Sequence, residues 1–286
     1  MKKFIVIMLL IQSVSAFAQA DRIDSLLNDL IYNASDPLII PEKAVKLDFL
    51  YAGAYYSNNT FYAGREIGSN IFNIAGNLFY YNSAGFFAGI SGIWYDQFTP
   101  AYSNTTLSAG FSKALDKKKL LTFRTSYSRF IYNNADSDIY YPYTNNLNLG
   151  LSFRKKWIGI RLAGNLLFGE ENKLNFSTTV YSRFTIIKLG NYNKIYTAPQ
   201  VSAYFSTESV STIVINSQTN DQTADYKDVF SLLNTQFCLP LGLSVGNFDF
   251  ELSYFLNLPT TRDVNISYPV KSLYSFSIGY MLPIFR

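Results

Sequence analysis

The sequence predicts an all-β protein, a single transmembrane antiparallel up-and-down β-barrel of about twelve strands preceded by a short periplasmic helix. Three observations predict it. Apolar and small or polar residues alternate over segment after segment, the period of a strand with one greasy and one wet face. Most of these segments run about 10–12 residues, the length a tilted strand needs to cross a bilayer. Their connections alternate between short turns and longer polar loops, as they do when an even number of strands closes a membrane barrel.

Composition agrees. Of 286 residues 17% are aromatic, supplied by 23 Tyr and 24 Phe, and only 15% are charged. Aromatic residues suit strands better than helices. A mean hydropathy near zero argues against a helical membrane protein, but a barrel strand shows half its residues to a polar lumen and dilutes the average. The chain has no histidine and one cysteine, Cys238. That removes Ser-His-Asp and Cys-His nucleophile arrangements, histidine acid–base work, histidine metal sites and any disulfide within the chain. Of 24 basic residues, Lys2 and Lys3 fall in a segment expected to be removed, leaving 22 against 20 acidic. So small a balance gives nucleic-acid binding no support.

Residues 1–20 read as a secretory signal peptide: basic Lys2 and Lys3, the apolar run Phe4 to Ile11, then Ala16-Phe17-Ala18 and Ala18-Gln19-Ala20 as small-x-small cleavage patterns. Residues 21–43 are read as a periplasmic helix and linker. Ile23, Leu26, Leu27, Leu30 and Ile31 recur at helical spacing, and Pro37 and Pro41 mark the linker. This helix is expected to cover the barrel's end or lie on the membrane surface, or else to act as a periplasmic plug or partner contact.

Residues 44–286 are the barrel. In the first strand Leu47, Phe49, Tyr51 and Tyr55 share one face, which places Asp48 inward. Ile71 to Tyr81 and Phe86 to Tyr95 pair across Asn82-Ser83-Ala84-Gly85. Thr105 to Ala114 leads through Asp116-Lys117-Lys118-Lys119 into Leu120 to Tyr132. The clearest hairpin is Leu147 to Phe168 around Lys155-Lys156, with Leu147, Leu149, Leu151, Phe153, Ile158, Ile160 and Leu162 outward and Arg154 and Arg161 inward. Lys173 to Ile187 and Ile195 to Phe205 follow, the latter spanning from Gln200 because Pro199 cannot donate to a ladder. Asp228 to Leu239 turns through 240–247 into Phe248 to Leu256, and Leu273 to Pro283 closes the barrel with Ser275, Ser277 and Gly279 inward. The longer loops are 57–69, 97–103, 133–144, 207–226 and 259–269. A soluble β-sandwich would also alternate, but it needs neither twelve apolar faces of spanning length nor so many outward Phe, Leu and Tyr.

The helix Asp24-Ser25-Leu26-Leu27-Asn28-Asp29-Leu30, together with Phe49-Leu50-Tyr51, Thr60 to Gly68, Gly85 to Gly92 and Phe276-Ser277-Ile278-Gly279-Tyr280, resembles outer-membrane β-barrel proteins of Bacteroidetes-type bacteria. The resemblance spans nearly the whole mature chain, rests on barrel motifs, and implies an outer-membrane location. It carries no catalytic residue.

Lumen-lining candidates follow from the faces: Arg124, Arg154, Arg161 and Arg183 on strands five to eight, and Asp48, Asp249 and Glu251 on strands one and eleven. The two sets fall on opposite walls, an arrangement that would orient small polar solutes or simply fill the lumen with ion pairs. Asp249 and Glu251, two apart on one face, are spaced as an acid–base pair, but no positioned nucleophile accompanies them and no enzyme is predicted. Asn133 to Asp138 offers oxygen ligands without the glycine and distal glutamate of a calcium loop, so no metal or cofactor is predicted. The polar stretch Thr207 to Lys227 reads as a surface loop for external ligands. Expected partners are outer-membrane lipid and a small polar solute.

Overall fold

The computed structural model describes residues 47–62, 65–66, 71–98, 100–133, 141–190, 193–215, 222–262 and 266–285. The expected signal peptide and the periplasmic helix and linker lie outside them, as does most of the Asn133 to Asp138 loop.

Twelve antiparallel strands form one closed wall. In chain order they are β1 Leu47–Ser57, β2 Asn73–Tyr81, β3 Phe86–Tyr95, β4 Tyr102–Ala114, β5 Leu121–Tyr132, β6 Tyr143–Lys155 and β7 Ile158–Gly169. β8 runs Asn172–Ser182 and resumes after Arg183 as Phe184–Lys188. β9 is Lys194–Thr197 and then Gln200–Ile215, and β10 Gln222–Val245, β11 Phe248–Pro259 and β12 Lys271–Phe285 complete the set. Each strand pairs with its sequence neighbour. β12 pairs with β1 from Leu47↔Phe285 to Ser57↔Ser275, so the wall has no free edge along its height.

Alternation decides what each face meets. Leu149, Leu151, Phe153, Ile160, Leu162, Leu174, Val180, Leu239, Leu252 and Phe276 stand exposed on the outer face. Their inward neighbours, among them Asn148, Ser152, Asn165, Thr179, Ser253 and Ser275, are buried. An apolar exterior around a closed, strand-to-strand hydrogen-bonded wall is what a hydrocarbon layer demands. The protein is an outer-membrane β-barrel. The short turns lie at one end of the wall and the long connections at the other, the ends that in outer-membrane barrels generally face the periplasm and the outside.

Three expectations need correction. First, the face assignment of β1 is reversed. Phe49 packs with Phe79, Tyr81 and Phe87 in a buried interior cluster, and Tyr51 joins it. Ala52, Ala54 and Tyr56 face out. Asp48 therefore lies on the outer side of the strand, buried there, where it accepts from Tyr80 Oη at 2.7 Å and from Ser83 N–H at 2.9 Å. It clamps the β2–β3 turn and does not line the lumen. Large aromatic rings take the inside of this sector because the interior must be filled there, a packing demand that an apolar-out rule misreads.

Second, 240–247 is strand almost to its end. β10 continues to Val245 and turns at Gly246, φ 57°. Pro240 is tolerated because it stands opposite the interruption of β9 at Ala198-Pro199, where no ladder bond is asked of it. Third, 207–226 is not an irregular loop. β9 and β10 stay paired as far as Ile215↔Gln222, well past the last β8–β9 pair at Asn175↔Ser206. A two-stranded finger thus rises above the rim. Glu208 ties its base to the β11–β12 connection, accepting from Ser231 Oγ at 2.8 Å, Thr261 Oγ1 at 3.1 Å and Arg262 N–H at 2.8 Å.

Candidate functional site

The interior divides by height. Toward the long connections the inward side chains are mainly neutral, a buried cluster of Phe130, Tyr143 and Leu167 together with amides and hydroxyls bonded strand to strand. Asn148 donates to Asn165 at 2.6 Å, Asn234 to Asn257 at 3.0 Å and Gln236 to Asn257 at 2.9 Å. Ser108 and Ser128, and Thr179 and Ser202, are joined at 2.8 Å, and Ser206 bonds Asn175. Most of these pairs follow from the register, which sets two polar side chains opposite one another on the same face, and Asn234 reaches Asn257 on the diagonal.

Toward the short turns the interior is charged and aromatic. Among the described residues an inward ring lies over a glycine directly across the ladder at Phe79 over Gly89 and at three further places where the ring also carries an arginine. Phe87 covers Gly110, Tyr181 covers Gly159 and Tyr196 covers Gly242. A Cβ on these glycines would stand 2.4, 2.4 and 2.1 Å from the ring, so only glycine leaves room. Each ring in turn carries a guanidinium. Arg124 sits 4.5 Å from the Phe87 centroid, Arg161 5.4 Å from Tyr181 and Arg183 4.2 Å from Tyr196. An arginine over a ring face gains from the ring's quadrupole while its N–H edge stays available to other partners. The unit is glycine floor, aromatic tile and arginine, repeated on β3–β5, β7–β8 and β8–β10.

Arg154, buried at the foot of β6, lies across from Gly159 and donates through Nε to the Lys156 carbonyl at 3.4 Å. On β11 Asp249 accepts from Tyr196 Oη at 2.8 Å and from Ser244 Oγ at 2.7 Å, while Glu251 accepts from Ser253 Oγ at 2.9 Å. The expected pair of opposite walls is therefore not what forms. Tyr196 reaches from β9 across Gly242 to Asp249 and carries Arg183 on its face, so the cationic and anionic sectors meet on this side of the barrel. Asp249 bonds Tyr196 and Ser244, whereas Glu251 bonds Ser253. Cys238 is buried on β10, across the ladder from Gln200. Among the described residues no group of three or more His, Cys, Asp or Glu is placed to hold a metal ion.

The glycine and aromatic members escaped the sequence reading. Inward Phe87, Tyr181 and Tyr196 look like any strand aromatic, and their glycines lie 23, 22 and 46 positions away. A usable signal would have been an inward aromatic facing an inward glycine, but that requires the register first.

No protein-family model matches the chain. No curated protein matches it in sequence. Solved structures do match in shape. An outer membrane channel from Pseudomonas putida F1 is 10% identical with a TM-score of 0.46, over 85% of this chain and 100% of that one. The KdgM porin is 8% identical at 0.46, over 81% and 98%. LpxR from Salmonella typhimurium is 8% identical at 0.42, over 80% and 99%. None of these likenesses transfers a residue role.

Proposed function

We propose that the barrel is a narrow passage or binding site for small polar solutes, with a preference for anions set by the arginine belt near its periplasmic end. The observation that carries this reading is the threefold repeat of arginine on aromatic on glycine. Inward cations of the described belt are Arg124, Arg154, Arg161, Arg183 and Lys194, against the carboxylates Asp249 and Glu251. A low-dielectric wall focuses such an excess onto whatever enters. The ring beneath each of Arg124, Arg161 and Arg183 gives its guanidinium group a fixed seat on the wall. The reading is non-enzymatic. The resemblance to barrels of Bacteroidetes-type bacteria belongs to the same proposal. Planar-bilayer recording of the purified protein tests it: discrete ion-permeable events whose size changes in Arg161→Ala support the reading, and a silent bilayer removes it.

The β9–β10 finger favours a second reading, a barrel acting through its surface. Its pairing continues about nine residues beyond the last β8 partner, reaching roughly 30 Å at 3.3 Å per residue. Deleting 211–226 would abolish capture of an envelope partner on this reading and leave conductance intact.

A further inference from the structure

All five short turns place one residue in the left-handed region. In three it is glycine: Gly85 at φ 101°, Gly190 at 135° and Gly246 at 57°. In the other two it is lysine: Lys119 at φ 54° between β4 and β5, and Lys156 at 56° between β6 and β7. A non-glycine residue there is disfavoured by contact of its Cβ with the backbone, and glycine is the usual solution. The backbone conformation therefore does not account for lysine at either position.

The two turns are neighbours on the rim and belong to a longer arc. Arg154 N–H donates to the Leu120 carbonyl at 2.8 Å, joining the β4–β5 and β6–β7 turns. Arg183 N–H donates to the Trp157 carbonyl at 2.9 Å, joining the latter to β8. Along this arc Lys117, Lys118, Lys155, Lys156 and Lys188 are exposed and Lys119 is half-buried. The acidic side chain within it, Asp116, is turned inward on its own turn, accepting from Leu121 N–H at 2.8 Å and Lys118 N–H at 3.1 Å. The remaining turns, Asn82 to Gly85 and Gly246-Asn247, contribute no charged residue of their own, and the first holds the Asp48 carboxylate. The arc also holds the aromatic pair expected at a membrane boundary. Trp157, 53% exposed, stacks on Phe184 at 5.8 Å beside exposed Leu115, Ile186 and Leu189.

We propose that this arc is a docking surface for anionic phospholipid headgroups of the periplasm-facing leaflet, the phosphates held by the lysines while Trp157 and Phe184 sit at the level of the headgroups. Charge complementarity singles out the occupant. A one-signed arc is fixed at headgroup depth by the apolar wall above it, where an anionic leaflet supplies the opposite charge along its length. The arrangement would set the rotational and vertical seat of the barrel in its membrane.

The protein has two tryptophans, Trp94 near the opposite rim and Trp157 in the arc, so Trp94→Phe leaves one reporter. The full chain is reconstituted in phosphatidylcholine vesicles containing equal mole fractions of brominated phosphatidylglycerol or brominated phosphatidylcholine, and quenching of Trp157 is compared. We expect an apparent preference for phosphatidylglycerol of about five-fold or more, the factor of a single lysine at an anionic surface. It should fall toward one in the K117Q/K118Q/K155Q/K156Q variant and at high salt. Lys119→Gly with Lys156→Gly gives the second arm: the turns relax and the barrel stays folded, yet the preference drops. Equal quenching by the two lipids, or a preference that survives both sets of substitutions, overturns the proposal. So would competition by inorganic phosphate with no lipid preference, which would mark a plain anion site.

Discussion

The Tyr196 hydroxyl donates to Asp249 Oδ2 at 2.8 Å while the Arg183 guanidinium lies 4.2 Å above the Tyr196 ring. One side chain thus joins a strand bearing a cation to a strand bearing an anion. It can do so because Gly242, directly opposite it on β10, leaves room for the ring to lie flat. Two predictions test this arrangement, and three more test the barrel around it.

Tyr196→Phe removes the hydrogen bond and keeps the ring. The expected loss is about 1 kcal/mol, or somewhat more because the acceptor is a carboxylate. Urea unfolding in lipid vesicles measures it. Asp249→Asn added to Tyr196→Phe should then cost little, since its partner is already gone; additive losses would show that the two residues are not coupled.

Gly242→Ala puts a methyl group where the Tyr196 ring lies. We expect a loss of about 1–3 kcal/mol from overpacking, measured in the same assay, and recovery of most of it in Gly242→Ala with Tyr196→Ala. A Gly242→Ala variant as stable as the parent would mean that the ring does not lie where it is described.

Leu149, 51% exposed in the middle of β6, faces the hydrocarbon. Leu149→Arg should cost about 2–4 kcal/mol in a bilayer. The same change at exposed Leu115, in the β4–β5 turn, should cost much less. Equal costs would argue that no bilayer covers Leu149.

Asp116 takes two backbone N–H groups of its turn, and these bonds, that from Leu121 first, hold its carboxyl below the usual carboxylate range. The lowered folded value sets the sign: this contribution is present above the ordinary carboxylate pKa and is lost as pH falls through the lowered one. A stability profile from neutral to strongly acidic pH should therefore lose one acid-side step in Asp116→Asn. An unchanged profile would remove the carboxylate from the account.

Much of the fold was legible because a barrel wall obeys a period of two over long stretches. The β6–β7 hairpin shows why: Leu147 to Phe153 and Ile158 to Leu162 alternate so cleanly that face, turn and strand length read directly. Legibility failed where side chains inside were large. Phe49 and Tyr51 fill the interior beside Phe79 and Tyr81, so the apolar-out rule inverted β1 and moved Asp48 to the wrong face. It failed again at Pro240, which reads as a turn but is absorbed opposite a gap in β9. The arginines of the belt could be named from alternation alone. Their glycine floors and aromatic tiles could not, because those contacts exist only after register brings positions as distant as Tyr196 and Gly242 side by side.

The central claim is that the arginine belt gives the lumen an anion preference. The most direct measurement is the reversal potential of the reconstituted protein across a potassium chloride gradient, in the parent and in R124Q/R161Q/R183Q. The account predicts a potential of anion-selective sign in the parent that moves toward zero or reverses in the triple variant, with low salt enlarging the difference. A cation-selective parent, or an anion preference that the triple variant retains in full, would contradict it.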